Sequence, residues 1–159
     1  MLESDLVQVN QIADIVHVNY PEDEAVFAER RRLYPSGCQV LASDAQLFGY
    51  IISHPSMYAQ PPALNSLLGK VPERPTTYYI HDIALLPEAR DQGHASRAVE
   101  LVLTHATIAA FSNVSLIAVN NSTEFWRRHG FLTASEPSVD SKLESYGAGS
   151  FFMVRRLGK

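Results

Sequence analysis

The sequence predicts a mixed α/β fold of the α+β kind, with helices flanking a central sheet that holds both parallel and antiparallel neighbours. Three observations predict it. An aromatic and β-branched run over 76–86 leads into a 3.6-residue apolar period over 93–111 and then an apolar run over 114–119, the order of a parallel crossover. Shorter strand-like runs before and after it are separated by turn residues, as in antiparallel hairpins. At 159 residues, 46% hydrophobic and 19% charged, the chain suffices for one core and is short for two, so residues 1–159 read as a single domain.

Ser4 or Asp5 caps a first helix, in which Leu6, Val9, Ile12, Ala13 and Val16 recur at helical spacing until Asn19 and Pro21. A second helix is expected over 22–33, entered at Pro21 and ended by Tyr34 to Gly37. Its Arg30, Arg31 and Arg32 read as a solvated helix end, with contact to a phosphate as the alternative. Residues 38–42 and 47–53 form a hairpin turning at Ser43 and Asp44. Five prolines between His54 and Pro75 forbid a central strand or one long helix. That stretch is either a surface excursion or part of a binding cleft, with a short helix over 63–68.

The strand over 76–86 closes at Pro87, and the long helix after it carries Ala98, Leu101, Val102, Ile108 and Ala109 on one stripe. His105 falls on the same stripe and reads as a satisfied interior histidine. After the strand over 114–119, Ser122 or Thr123 caps a short helix that stops at Gly130. Final strands are expected over 131–134 and 150–156, separated by a polar, glycine-bearing stretch over 135–149.

Thirteen basic residues against seventeen acidic ones give a net charge of -4, which supplies no overall attraction to nucleic acid. No apolar run approaches the roughly 20 residues that span a bilayer, and the first ten residues lack a signal-peptide pattern. Cys38 is the one cysteine, which forbids an internal disulfide and any cysteine-cluster metal site. It reads as an inert buried thiol, no metal is expected, and the compartment expected is the cytoplasm.

The informative stretch runs from Ile83 to Ser96, where a strand passes through a polar turn into a helix. Gly93 permits close backbone approach, Ala95 keeps the first turn narrow, and the free amides of the helix start suit a pyrophosphate. Arg90 stands beside that position. A nucleotide P-loop and a dinucleotide fingerprint are both excluded, because the glycines and the Lys-Ser/Thr pair they need are absent.

Arg90, Gly93 and Ala95 after a strand, then Val119-Asn120-Asn121-Ser122, Phe125-Trp126 and His129-Gly130-Phe131, resemble the GNAT superfamily of acyl-CoA-dependent N-acyltransferases over roughly residues 3–156. The family's opening strand is missing or reduced to Met1, Leu2 and Glu3, which leaves an uncovered sheet edge and makes a homodimer or a monomer equally admissible. The resemblance implies acetyl-CoA as cosubstrate, with the backbone near Leu85 pairing the pantetheine arm and the amides of Gln92, Gly93, His94, Ala95 and Ser96 taking the pyrophosphate. It also implies a splay between the parallel strands at Asn120, with Ser122 and Phe125 along the coenzyme wall. Helix capping competes for Ser122 and core packing for Phe125.

Acyl transfer to an amine needs a base for the nucleophile and stabilisation of charge on oxygen and sulfur. His81 is the first candidate base, since imidazole titrates near neutrality and precedes the coenzyme segment on one strand. It also resembles a histidine of the arylalkylamine N-acetyltransferase branch. Asp82 faces the opposite side of a regular strand, and serves either as base where a bulge turns it inward or as an attractor of cationic substrate at the cleft rim. Tyr79 shares His81's face, as a proton relay, a neighbour of the substrate ring or ordinary packing. Where many family members place an acidic tyrosine four residues before the glycine of the Gly-Phe pair, this chain has Trp126, which leaves Tyr79, Tyr146, water or no dedicated acid. Tyr20, Glu22, Tyr34, His54, Tyr58 and Asn65 are candidate linings of the acceptor cleft. The expected activity is acetyl transfer from acetyl-CoA to a primary amine of a small molecule; the alternatives are a protein or peptide N-acetyltransferase and a noncatalytic acyl-CoA-binding protein.

Overall fold

The computed structural model describes residues 1–158, the side chains of residues 140 and 141 excepted; Lys159, the end of the expected domain, lies outside the described residues. The first helix, α1 (Leu6–Val16), buries Leu6, Val9, Ile12 and Ala13 and follows a single 3-10 turn at Glu3–Asp5. Next come α2 (Glu24–Leu33), the hairpin of β1 (Cys38–Ala42) and β2 (Leu47–Ser56), and β3 (Thr77–Leu85). The crossover helix α3 (His94–Ile108) leads to β4 (Asn113–Ala118), followed by α4 (Thr123–Arg128), β5 (Leu132–Thr133), α5 (Asp140–Tyr146) and β6 (Phe151–Arg156). The strands form one six-stranded sheet in the order β1-β2-β3-β4-β6-β5. Only the β3–β4 pair is parallel, so the sheet is mixed as expected.

Alternating side chains of the sheet feed three apolar clusters, the smallest holding Phe152 and Val154 of β6 with Ala59 and Val139. Ile51, Tyr78, Ile80, Val114 and Leu116 pack under α3 with Val99, Val102, Ala106, Trp126 and Phe131. Tyr50, Ile52 and Ala84 pack on the opposite face against Val9, Ile12 and Ala13 of α1 and Phe27 of α2. No strand precedes α1 among the described residues, and the Met1 nitrogen lies 3.1 Å from the Cys38 carbonyl, meeting part of the β1 edge. No helix is long and apolar enough to cross a membrane among those residues.

Four expectations change. Residues 63–68 form turns and extended backbone instead of a helix. The stretch over 135–149 contains a helix, α5, which polar composition concealed. The stripe of α3 is Val99, Val102, Leu103 and Ala106, while Leu101 is 39% and Ile108 81% exposed. Its period was legible but its phase was not, because apolar residues occur on both sides of the helix. Finally, Arg30 is 1% exposed and not a solvated helix end. Its guanidinium bonds Glu29 at 2.6 Å and the Ser66 carbonyl at 2.7 Å. His105 does behave as expected, 2.9 Å from the Tyr34 hydroxyl, and burial pushes the Cys38 thiol up to about 11, where it is inert.

Candidate functional site

The β2–β3 register shifts by one residue, since Ile52 pairs with Asp82 while Ser53 pairs with Ile80. His81 is therefore the extra residue of a β-bulge, and strict alternation fails at this point. His81 and Asp82 come to the same side of β3, the side that α1 and α2 cover, where the first meets Glu22 and the second meets His17 and Tyr50.

The parallel pairing of β3 with β4 covers only Tyr78–Ile80 and Val114–Leu116, after which the strands separate. A cavity of about 140 Å³ opens at that point. Its apolar wall includes Ile80, Ile83, Leu116, Phe125 and Trp126; its polar wall includes His17, Tyr20, Glu22, His81, Asp82 and Tyr146. Asn120 and Ser122 line it too, with Asn120 and Asn121 both in the left-handed region at φ 53° and 57°. Asparagine tolerates that conformation better than most residues.

Two imidazole–carboxylate pairs build the polar wall. His81 Nε2 lies 2.9 Å from Glu22 Oε2, and His17 Nε2 lies 2.8 Å from Asp82 Oδ1. The buried Tyr50 hydroxyl donates to Asp82 Oδ2, so both oxygens of that carboxylate are engaged. Burial would raise the pKa values of Asp82 and Glu22, but the facing histidines outweigh it and hold both below the usual carboxylate range. Burial likewise would lower His17, yet the Asp82 charge and hydrogen bond and the Ile83 backbone push it up overall. His54 lies behind His81, their ring centroids 6.1 Å apart, and burial drives its pKa down to about 3.

A second structural feature stands at the start of α3, where His94, Arg97 and Ala98 border a separate cavity with Leu85. Gly93 is the N-cap at φ 81° and Asp91 stands at φ 60°, so the chain reverses sharply before the helix. A side chain on Gly93 would meet nothing within 4 Å, and the glycine is required by its backbone angle alone. The first amides of α3 have no intrahelical partner, which creates a site for anionic oxygen. His94, Ala95 and Ser96 form that first turn, and the Ser96 hydroxyl lies 3.1 Å from His129 Nε2. Gln92 folds back onto the Glu88 carbonyl at 2.8 Å, and Arg90 Nε donates to the Leu85 carbonyl at 3.1 Å.

The structure lines one cavity with His81, Asp82, Asn120, Ser122 and Phe125, while Leu85, Arg90 and Gln92 to Ser96 lie outside that lining, at the end of β3 and the start of α3; Leu85 and His94 line a second cavity of about 110 Å³ that shares Ile83 with the first. Tyr79 is different: it is 2% exposed, lies under His54 and off the cavity wall, and cannot touch a substrate there. Of the acceptor candidates, Tyr20 and Glu22 line the cavity, Asn65 holds Glu22 from behind and His54 holds the far side of His81. Tyr34 belongs to the α3 core, and Tyr58 stacks on Phe152 and bonds Glu136. Ser122 takes the N-cap position of α4, but its hydroxyl accepts from the Trp126 indole at 3.2 Å instead of capping. His17 escaped sequence reasoning, although it follows Ala13 by one turn on the buried stripe. Tyr146 reaches the cavity from α5, its hydroxyl donating to the Pro62 carbonyl at 3.2 Å.

Residues 8–131 match the acetyltransferase (GNAT) family, and the chain belongs to it. Solved structures agree with that fold. Ard1 from Thermoplasma volcanium is 18% identical over 100% of this chain and 95% of its own, with a TM-score of 0.74. GphF, a GNAT-like decarboxylase solved with isobutyryl-CoA, is 13% identical over 99% and 97% of the two chains, with a TM-score of 0.78. Naa20 from Chaetomium thermophilum, solved with a bisubstrate analogue, is 16% identical over 98% and 82%, with a TM-score of 0.65. No curated protein sequence matches the chain closely.

Proposed function

We propose that the chain transfers an acetyl group from acetyl-CoA to the primary amine of a small molecule by direct attack in a ternary complex. One observation carries the small-molecule reading: a polar seam closes the acceptor side. The Asp23 backbone bonds Asn65, the Leu64 amide lies 3.3 Å from Ser145 Oγ, and the Tyr146 hydroxyl donates to the Pro62 carbonyl at 3.2 Å. The segment over 57–76 thus bridges the start of α2 to α5, where a peptide acceptor needs an open groove. Tyr20, Phe27 and Tyr146 around the cavity suit an amine with an apolar or aromatic body, in keeping with the resemblance to the arylalkylamine branch.

The coenzyme fits the chain on two features, the amide-rich start of α3 for its pyrophosphate and the unpaired edges of β3 and β4 for its extended arm. Bound there, it supplies an activated thioester carbonyl. Arg90, through its position, and the amides of Gln92 to Ser96 hold the anionic end, while Leu85 borders the arm and Asn120, Ser122 and Phe125 flank it. The acceptor attacks as its neutral amine, its ammonium form having released a proton to bulk solvent beforehand. His81 accepts a proton from the amine as the new C–N bond forms, on Nδ1, the nitrogen that has no partner among the described residues. It returns that proton to sulfur as the C–S bond breaks. Tyr146 is a poor acid for this step because burial pushes its pKa up, far above that of a thiol. Asp82, committed to His17 and Tyr50, orients the wall and does not take the proton.

Thiol release from acetyl-CoA, followed across a mixed panel of amines and peptides with coenzyme binding titrated in parallel, tests this reading. Release with short amines and not with peptides is expected. Release with peptides alone points to the peptide-directed reading instead. Binding without release points to a noncatalytic binder, the reading that Trp126 favours, and absence of binding overturns the coenzyme assignment.

A further inference from the structure

Building on the assignment of His81 as base, we propose that Glu22 and Asn65 are positioning residues, through which the 57–76 segment fixes the tautomer and orientation of the catalytic imidazole.

The geometry runs in one unbroken line. Asn65 sits in the left-handed region at φ 54°, a conformation that strains most side chains but that asparagine tolerates. Its side chain grips the residue before α2 twice: the Asp23 amide donates to Oδ1 at 2.8 Å, and Nδ2 donates to Asp23 Oδ2 at 3.1 Å. That grip aims the Asn65 amide at Glu22, whose Oε1 accepts it at 3.0 Å. The other oxygen, Oε2, meets His81 Nε2 at 2.9 Å. Glu22 and His81 side chains are 7% and 2% exposed, so water does not compete for either contact.

A carboxylate accepts and cannot donate, so the Glu22 contact requires the proton of neutral His81 to sit on Nε2. Nδ1 is then the lone-pair nitrogen. This is the logic of a carboxylate that fixes a histidine tautomer and stabilises its cationic form, extended by one residue to a backbone amide on a loop. Glu22 has a fixed rotamer because Asn65 holds its other oxygen. Without that bond, a carboxylate between α1 and α2 has several rotamers open to it. The groups that face His81 are Glu22 from the α1–α2 connection, His54 from β2 and Asp82 from its own strand. Arg30 of α2 faces His54 and Glu22 from behind, and Tyr146 of α5 faces Glu22.

The test combines a measurement that needs no turnover with one that does. Ring 15N shifts of His81 in the full chain, assigned with His81→Gln, report its neutral tautomer. The Nε2-protonated form is expected to dominate in the wild type and to give way to a mixture in Glu22→Gln, Asn65→Ala and Asn65→Gly. The glycine variant keeps the left-handed backbone, so it separates loss of the side-chain grip from backbone strain. With coenzyme saturating and the best amine of the panel, Asn65→Ala is expected to lower kcat about tenfold, with coenzyme KM unchanged and the acid limb of the kcat/KM profile moved to lower pH. In a Glu22→Gln background the Asn65 change is expected to add nothing. Additive losses, or a tautomer and pH limb unmoved in all three variants, overturn the proposal. If no amine supports turnover, the acyl-transfer reading fails, while the tautomer measurement still decides whether Asn65 and Glu22 set the imidazole.

Discussion

His81 and Asp82 are neighbours in the chain, and both side chains border the same cavity. In a regular strand one of them would point into the opposite core. The bulge at His81 brings the two together, and their partners differ: the buried His81 Nδ1 has no partner among the described residues, whereas both oxygens of Asp82 are taken by His17 and Tyr50.

Substitution should expose that division. His81→Gln is expected to lower amine-dependent thiol release by about 100-fold or more, with coenzyme affinity unchanged. Asp82→Asn should lose less than about tenfold in turnover but about 3 kcal/mol in stability, because it breaks a shielded ion pair and leaves its partners uncompensated. Steady-state kinetics and urea unfolding of the two variants decide this; the reverse pattern would make Asp82 the base.

At the start of α3, Gly93→Ala and Asp91→Gly should act in opposite directions. Both positions have positive φ, and the Gly93 site has room for a methyl group, so the alanine suffers only from its backbone angle. A cost of about 1 kcal/mol in stability is expected for Gly93→Ala, with coenzyme affinity falling at least about tenfold as the amide array tilts. Asp91→Gly should instead raise the unfolding midpoint. Calorimetric titration of coenzyme into both variants, beside their melting curves, checks the pair.

Glu29 anchors the segment over 57–76 to α2. Its carboxylate accepts the amides of Leu68 at 2.7 Å and Gly69 at 2.9 Å while bonding the buried Arg30. Glu29→Ala strands that guanidinium away from water and is expected to cost about 3–5 kcal/mol. Limited proteolysis should then cut first between residues 57 and 76, ahead of global unfolding. Cleavage elsewhere would show that the segment is held by other contacts.

His54 makes stability depend on pH on the acid side. Its folded pKa is near 3 against 6.5 for the free side chain, so between those values the unfolded chain binds one more proton. Stability therefore falls as pH drops below 6.5, by about 1.4 kcal/mol per unit. His17 has the opposite sign: its folded pKa is raised, so its contribution is complete below 6.5 and is lost as pH rises through the folded value. Glu22 and Asp82, with depressed values, add their own loss only as pH falls below about 4. Urea unfolding of wild type and His54→Asn from pH 6.5 to 4.5 isolates the first effect; equal slopes for the two proteins would remove His54 from it.

Much of the architecture was legible in the residues. Element order, the parallel crossover and the turn at Gly93 follow from local composition, because each rests on backbone preferences of neighbouring residues. What local reading missed depends on partners distant in the chain. The bulge at His81 is visible only in the pairing with Ile52 and Ser53, on a different strand far back in the chain. Arg30 looks solvated beside Arg31 and Arg32 until the Ser66 carbonyl and Glu29 are brought to it. Tyr146 lies in a polar stretch with no apolar period to announce α5, and His17 gains meaning only against Asp82.

The early parting of β3 and β4 has a topographical consequence. Elsewhere the sheet is a partition, with α3 on one side and, on the other, α1 and α2 over β1 to β3 and the residues around Ala59 and Val139 over β6. At Ile80 and Leu116 it becomes a window: Trp126 borders the opening from the α3 side, and His81 and Glu22 border it from the other. Two reactants can therefore arrive through separate doors and meet in the wall between rooms. On the proposed function, neither has to leave before the other enters, and no covalent carrier on the chain is needed to pass a group across.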